Sequence, residues 1–349
     1  MRILSPRIAF IFSLAMLFFS CKEKRQFMNT PLPDKLVIMA ELSAGDTVSL
    51  PISRSMRAGT GQVTQFEKVK TARLTLTNDE QLPLPVQLNK NAIYTTNPAA
   101  VYTGPSVIES RRRYFLRVED TVRNDVATAS VMMPSPITIR KVDTSSTLLF
   151  GTLRVFSFRF TLQDDARENN FYVVEALKQP MKRVRYFIWQ QKRYDYDTEE
   201  NKALYDRVKG EPGVRLLSDT TTSPQYQRME LYSKSRVFDN RHSPLSEGPY
   251  NRLFYTDRTF NGGTITDTVF VNKEFFSTTD PAQKGRIIIQ VKSVTEDLYR
   301  YLKWYEEQKE SGGNIYSWLL RPGVNNIHNG IGIFGGCSKS SFIFYYDRL

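Results

Sequence analysis

Short apolar stretches separated by turn residues run along the first third of the chain. Their length and spacing are typical of β-strands, and apolar and polar side chains alternate in residues 72–76. The other strands of this region are predicted at residues 36–39, 47–50, 86–88, 92–95 and 114–118. The pattern predicts an antiparallel, immunoglobulin-like β-sandwich over residues 35–136.

A second β-rich region, residues 137–349, follows Pro134 and Pro136. Proline cannot donate to a sheet ladder, so we place a domain boundary at these two residues. Phe156, Phe158 and Phe160 alternate with polar residues, as in a strand with one buried face. Further strands are predicted at residues 171–177, 184–189, 229–237, 265–271 and 286–291. The polar stretches 190–209 and 242–258 are predicted to be long loops.

One apolar stripe at helical spacing occurs near the C-terminus. Residues 293–296 have the spacing of a capping box, and the pattern ends at a pair of glycines that begins with Gly312. The stripe consists of Leu298, Tyr301, Leu302 and Tyr305. We therefore predict a helix near residues 293–310 that packs on a sheet. A segment rich in Asn and Gly follows it and is predicted to form a final strand beneath the helix.

Residues 1–20 have the features of a signal peptide. Two arginines precede an apolar core over residues 8–19, which is shorter than the roughly 20 residues that a membrane-spanning helix needs. Ser20 and Cys21 follow the core directly, which is similar to a bacterial lipobox. We expect cleavage before Cys21, lipidation of Cys21 with acyl chains such as palmitate, and a polar tether over residues 21–34.

The net positive charge of the chain bears on the kind of partner it can bind. The chain has 349 residues with 48 Lys plus Arg and 36 Asp plus Glu; removal of the two signal-peptide arginines leaves 46 basic residues and a formal charge of +10. An exported lipoprotein does not meet nucleic acid, so we expect anionic surfaces or acidic ligands instead. Once Cys21 is lipidated, Cys337 has no intrachain disulfide partner, and we expect it to be a small buried side chain.

Motifs for catalysis, cofactors and metals are missing from the sequence. His242 and His328 are the only histidines, and neither has ligands at metal-site spacing. The acidic residues within 195–200 stand beside Lys and Arg and are interpreted as a solvated loop. We expect no cofactor, no metal, no catalytic residue and no enzymatic activity, and we expect His328 to stabilise a tight turn.

Four tyrosines in loop-like sequence are expected to be exposed and are the candidate contact residues. Tyrosine brings a large rigid surface with few rotatable bonds, which suits recognition. These residues are Tyr194, Tyr196, Tyr250 and Tyr255. They could stack on sugar rings or contact a protein partner.

The C-terminal motifs carry a family resemblance. Residues 292–302, followed by residues 326–335, resemble the closing signature of the domain-of-unknown-function 4249 family, whose members are exported lipoproteins of Bacteroidetes-type bacteria. Residues 36–41, the proline pair and Cys21 are also similar to that family at the expected places. The resemblance implies a lipoprotein of the outer membrane, often associated with TonB-dependent receptors. It implies no catalytic residues.

The leading hypothesis is a non-catalytic, lipid-anchored outer-membrane lipoprotein. It would be an accessory binding or assembly partner of a TonB-dependent receptor in nutrient uptake. The sequence does not identify a small-molecule ligand. The alternatives are a glycan- or peptide-processing enzyme at the cell surface, whose acids meet only in the fold, and an adhesin or structural envelope protein.

Overall fold

The structure, a computed structural model, describes most of the chain from Asp34 onward. It covers residues 34–55, 66–91, 99–222, 226–235, 237–240, 248–276, 285–310 and 324–346. The predicted signal peptide, the lipidation site Cys21 and the tether before Asp34 lie outside these residues. The strand predicted at residues 92–95 and His242 also lie outside them.

The fold is mainly β, as the sequence predicts. The strands before residue 137 are β1 (Leu36–Ser43), β2 (Thr47–Arg54), β3 (Glu67–Lys68), β4 (Ala72–Asn78), β5 (Pro83–Leu84), β6 (Gln87–Leu88), β7 (Ala100–Val107), β8 (Arg113–Asp120) and β9 (Asp125–Met132). The later strands are β10 (Ile139–Leu149), β11 (Leu153–Gln163), β12 (Phe171–Trp189), β13 (Lys192–Asp195), β14 (Leu217–Thr222), β15 (Gln227–Met229), β16 (Leu231–Ser233), β17 (Leu253–Thr256), β18 (Thr264–Asn272), β19 (Gly285–Val294) and β20 (Ile331–Tyr345). The described α-helices are α1 (Glu199–Val208) and α2 (Glu296–Glu310), and neither is long and apolar enough to span a membrane.

Three sheets build the protein. The central sheet has the strand order β13-β12-β19-β20-β1-β2-β7-β6, with β14, β15 and β17 paired to β12 and β3 paired to β2. The first cover sheet has the order β5-β4-β8-β9, and the second has the order β10-β11-β18-β16. Neighbouring strands are antiparallel except for β1 and β20, which are parallel from Val37↔Ile331 to Ser43↔Cys337.

Strand β20 joins the two regions that the sequence separates at residue 136. It pairs with β1 of the first region, and also with β19 of the second region from Val294↔Cys337 to Arg286↔Tyr345. The described residues from Lys35 onward belong to one compact unit. The division at residue 136 stays a prediction, and the main-chain hydrogen bonds of the central sheet run across it.

The first core lies between the central sheet and the first cover sheet. Ile38 of β1 and Leu50 of β2 contribute from one side, and Leu116 of β8 contributes from the other. All three are buried because each strand turns alternate residues toward the facing sheet. Two sheets enclosing one core are the β-sandwich predicted for the N-terminal region.

The second core lies between the central sheet and the second cover sheet. Phe156, Phe158 and Phe160 of β11 are all buried there, whereas Arg159 between them is exposed. The predicted alternation is therefore confirmed. Phe344 of β20 contacts two of these rings, with centroids 5.3 Å from Phe156 and 5.6 Å from Phe158.

Helix α2 packs on the opposite face of the central sheet, as predicted. Neighbouring residues of β12 show the two faces, since Tyr172 belongs to the second core and Val173 to a third core with Leu298 of α2. The helix comes so close to β20 that a Cβ on Gly335 would lie 2.7 Å from the Cβ of Leu298. The predicted start is corrected: β19 extends to Val294, so the helix begins three residues later than the capping-box pattern indicates.

Two predicted long loops are wrong. Residues 190–209 contain the hairpin strand β13 and helix α1, and residues 253–256 of the other stretch form β17. Helix α1 was missed because Val208 is its only buried residue, so it has no apolar stripe. Strand β17 was missed because it is covered on both faces and does not alternate.

Candidate functional site

Residues 181–222 form an arm that leaves the body of the protein. Strand β12 pairs with β19 only from Phe171 to Pro180. Beyond that point its partners are β13 and β14, which lie on its two sides. None of the arm's residues belongs to the three cores of the described structure. The arm is therefore a three-stranded sheet with its own helix, α1.

Local sequence explains how the arm folds. Gln190 and Gln191 both have positive φ angles, 48° and 62°, as in the two-residue type I′ turns that join hairpin strands. Thr198 caps α1 by accepting a hydrogen bond from the backbone N–H of Asn201 at 3.2 Å. Glu199 and Glu200 in the first turn complement the positive end of the helix dipole.

One face of the arm is covered by aromatic rings. Phe187 is fully buried between Tyr194, stacked at 5.3 Å, and Tyr205 of α1 at 5.2 Å. Tyr196 meets Tyr205 edge-on at 5.4 Å and lies 4.9 Å from the guanidinium of Arg185. These rings hold α1 against the strands.

The other face of the arm is open. Tyr186 lies on it, and the guanidinium of Arg193 stacks over the Tyr186 ring at 3.8 Å. Arg193 is also 3.8 Å from Asp195 and 3.8 Å from Asp219 on the flanking strand β14. Ile188 on the same face is 45% exposed. An arginine held on a tyrosine beside an exposed aliphatic side chain is a composition typical of contact hot spots between proteins.

The predicted contact tyrosines fall in two places. Tyr194 and Tyr196 belong to the arm, half-buried on its covered face. The prediction that Tyr250 and Tyr255 are exposed is wrong, because both are buried in the second core. Tyr255 stacks on Tyr172 at 5.1 Å, and burial, reinforced by Asp267 and Asp164, raises its pKa well above the usual range.

Tyr186 and Arg193 were missed by the sequence interpretation. The alternation over residues 184–189 indicates a strand, but an apolar strand face is normally assigned to a core. The register places Ile188, Arg193 and Asp219 on one face, and their exposure shows that no layer among the described residues covers it. The signal that could have found it is the polar composition of both flanking strands.

The body contains a buried ionic cluster centred on Glu175 of β12. Arg252 Nε donates to Glu175 Oε1 at 2.6 Å, Lys292 Nζ lies 3.1 Å from Oε2, and Arg228 lies 3.1 Å from Oε1. Arg252 also donates to Glu306 of α2. Burial by itself would raise the pKa of Glu175, but Lys292, Arg252 and Arg228 lower it to about 2.

This ionic cluster continues to Cys337. Lys292 Nζ donates to Glu41 Oε1 at 3.0 Å, and the Cys337 thiol donates to the same oxygen at 3.2 Å. Burial, followed by the charge of Glu41, raises the pKa of the Cys337 thiol to about 12, so the thiol stays protonated at neutral pH. Cys337 is a buried packing residue, as expected, and the cluster ties strands to α2.

His328 pairs through its backbone with Thr128 of β9. The Thr128 N–H donates to the His328 carbonyl at 3.1 Å, and the His328 N–H donates back at 2.8 Å. Asn329 in the following turn has a φ of 56°. These contacts are structural. Within the described part of the chain, no three His, Cys, Asp or Glu side chains are arranged to hold a metal ion.

Comparison with known proteins identifies the family. The family model described as Domain of unknown function (DUF4249) matches residues 26–343. No curated protein matches the chain. Because the matched segment spans nearly the whole chain, the protein belongs to this family of unknown function.

Proposed function

We propose that the protein is a non-catalytic, lipid-anchored lipoprotein of the outer membrane that accompanies a TonB-dependent receptor in nutrient uptake. The open face of the arm is its contact surface for that receptor. The observation that carries the proposal is Arg193, stacked on Tyr186 next to exposed Ile188 on a sheet face that no described layer covers.

The contrast between the arm and the body supports a binding role. In the body, Glu175 and Glu306 are neutralised by buried cations, so they serve the fold. In the arm, Arg193 and Asp219 are about half exposed and weakly paired at 3.8 Å. Groups of this kind can exchange their partners when another protein docks, because an exposed ion pair contributes only about 0–1 kcal/mol.

The anchor part of the proposal rests on the N-terminal sequence. Acyl chains on Cys21 would hold the protein at a membrane without a spanning helix, because each buried CH₂ contributes about 0.8 kcal/mol. Cys21→Ala should abolish acyl-chain labelling and move the protein out of the membrane fraction. Unchanged labelling in that variant would remove the lipoprotein assignment.

Affinity purification from detergent-solubilised cells tests the partnership. A TonB-dependent receptor should co-purify with the wild-type chain and be lost with the double variant Tyr186→Ala/Arg193→Ala. Arg207→Ala is the matched control, since Arg207 is an arginine of the same arm on helix α1. Undiminished co-purification with the double variant, or the absence of any such receptor from the wild-type sample, would contradict the proposal.

A further inference from the structure

A polar crevice lies where the chain crosses from the first cover sheet to the second. The segment 135–138 forms one wall, residues 163–167 at the end of β11 and in the following turn form another, and Tyr172 and Ser293 of the central sheet also line it. Its volume is about 450 Å³. This volume falls within the roughly 300–1,000 Å³ typical of small-molecule sites.

Ser293 offers an unused hydrogen-bonding group to this crevice. The residue is only 2% exposed, and no described side chain or backbone group bonds its hydroxyl. It pairs with Tyr172 on the neighbouring strand, so both side chains point to the same face of the central sheet. Because Ser293 lines the crevice, a molecule that enters can supply a partner for this hydroxyl.

Asn170 provides a second such group. Its side-chain amide nitrogen donates to the backbone oxygens of Asp165 and Glu168, both at 3.1 Å. These two bonds orient the amide, and no described donor reaches its carbonyl oxygen. Asn170 is buried and lines the crevice. The crevice therefore presents one acceptor, Asn170 Oδ1, and one hydroxyl, that of Ser293, and both groups complement the hydroxyl groups of a ligand.

The carboxylates in the walls of the crevice already have hydrogen-bond or ion-pair partners within the protein. Tyr172 donates to Asp164 Oδ1, and the Gly262 N–H donates to Asp164 Oδ2 at 2.7 Å. Asp165 pairs with Arg167 at 2.7 Å and with Arg111 at 3.1 Å.

Arg140 at the crevice mouth is different, because it has no ion-pair partner among the described residues. The available charge is therefore positive. A guanidinium matches a carboxylate with two parallel hydrogen bonds, while the nearby Asp164 and Asp165 disfavour a dianion such as phosphate.

We propose that this crevice binds a sugar acid, with its carboxylate on Arg140 and its hydroxyls on Ser293 and Asn170. Among the described residues, the apolar lining of the crevice consists of Pro136, Ile137 and Ala166 besides the Tyr172 ring, which leaves no open aromatic or aliphatic subsite there for a peptide side chain. The site is separate from the arm, so it does not depend on the proposed receptor contact.

Calorimetric titration of the full purified chain tests the proposal, with D-glucuronate, D-glucose and glycylglycine as probes. Glucuronate should bind with a Kd of about 1 mM or below, and the two other probes should bind at least about tenfold more weakly. Arg140→Ala should weaken glucuronate binding about tenfold or more, as expected for loss of a charged hydrogen bond. Ser293→Ala should weaken it about threefold to tenfold.

Arg159→Ala is the matched control, because Arg159 is an exposed arginine on the outer side of β11. Its affinity for glucuronate should equal that of the wild type. Thermal melting of each variant shows whether it is folded. The proposal is overturned if glucuronate does not bind, if Arg140→Ala binds it as well as the wild type does, or if glycylglycine binds as tightly as glucuronate.

Discussion

Phe158 in the body and Phe187 in the arm are equally buried, each with 0% exposure, yet their surroundings differ. Phe158 packs among Phe156, Phe342 and Phe344 in a core shared by two sheets. Phe187 contacts rings that belong to the arm itself. Burial alone therefore does not show which part of the protein a side chain stabilises. Phe158 stabilises the core between two sheets of the body, whereas Phe187 stabilises only the arm.

The charged residues repeat this contrast. Glu175 and Arg252 are nearly excluded from solvent and link strands and helix α2. In the arm, Arg185 and Asp197 pair at 3.2 Å while both remain well exposed. Removing one partner of a buried ion pair lowers the free energy of unfolding strongly, whereas removing one partner of an exposed pair changes it little. Charged side chains of the arm can therefore exchange their partners for those of another protein at little cost in stability.

The largest effect is expected for Phe158→Ala. Loss of this ring should lower the free energy of unfolding by about 3–5 kcal/mol, because it leaves a cavity in the second core. Urea denaturation measures the change. Ser157→Ala, at the neighbouring position on the other face of β11, should cost no more than about 0.5 kcal/mol. Similar losses at both positions would contradict the strand assignment.

The alternation at Phe156, Phe158 and Phe160 was predictable because it involves neighbours along one strand. The parallel pairing of Val37 with Ile331 was not, since it joins opposite ends of the chain and no local pattern encodes it. The final strand shows the same limit. Ile333 and Phe334 are consecutive and both buried, because α2 covers one face of β20 and the first cover sheet covers the other.

The sequence predicts where the candidate site lies along the chain but not which side chains form its open face. Polar sequence over residues 190–209 indicated a surface region and drew attention to Tyr194 and Tyr196. These rings nevertheless support α1, and the open face is made by strand registers that a single sequence does not reveal. Tyr255 shows the reverse error, because its strand β17 is buried on both faces and lacks the alternation that marks a strand in the sequence.

The next largest effect is expected for Glu175→Gln. Leaving Arg252 and Lys292 without their buried carboxylate should cost on the order of 3 kcal/mol at pH 7. The pKa of Glu175 is about 2 in the folded protein against 4.5 for an ordinary glutamate. Its stabilisation is therefore complete above about pH 4.5 and is lost as the pH falls toward 2.

Urea denaturation at pH 7 and at pH 3 separates this contribution from others. The difference in stability between wild type and Glu175→Gln should shrink at pH 3. Glu199→Gln provides the comparison from the arm, since Glu199 is 89% exposed and should show no measurable loss at either pH. An equal difference at both pH values would mean that the Glu175 carboxylate does not titrate as proposed.

Phe187→Ala should act on the arm alone. Removal of the ring takes away the contact that holds α1 to the strands, so the arm should open while the three cores remain. Limited proteolysis should then cut within residues 190–216, and the free energy of global unfolding should change by less than about 1 kcal/mol. Ile188→Ala, its exposed neighbour, should leave the arm resistant. A global loss as large as that of Phe158→Ala would show that the arm and body unfold together.

The smallest effect on stability is expected for Arg193→Lys. Lysine keeps the positive charge near Asp195 and Asp219 but loses the planar group that stacks on Tyr186 at 3.8 Å. Because these contacts are exposed, the free energy of unfolding should change by no more than about 0.5 kcal/mol. Co-purification of the receptor should fall nearly as far as with Arg193→Ala if the stacked guanidinium is the recognised feature. Full retention with lysine would instead assign recognition to charge alone, and the stack on Tyr186 would then serve only to hold the arm in shape.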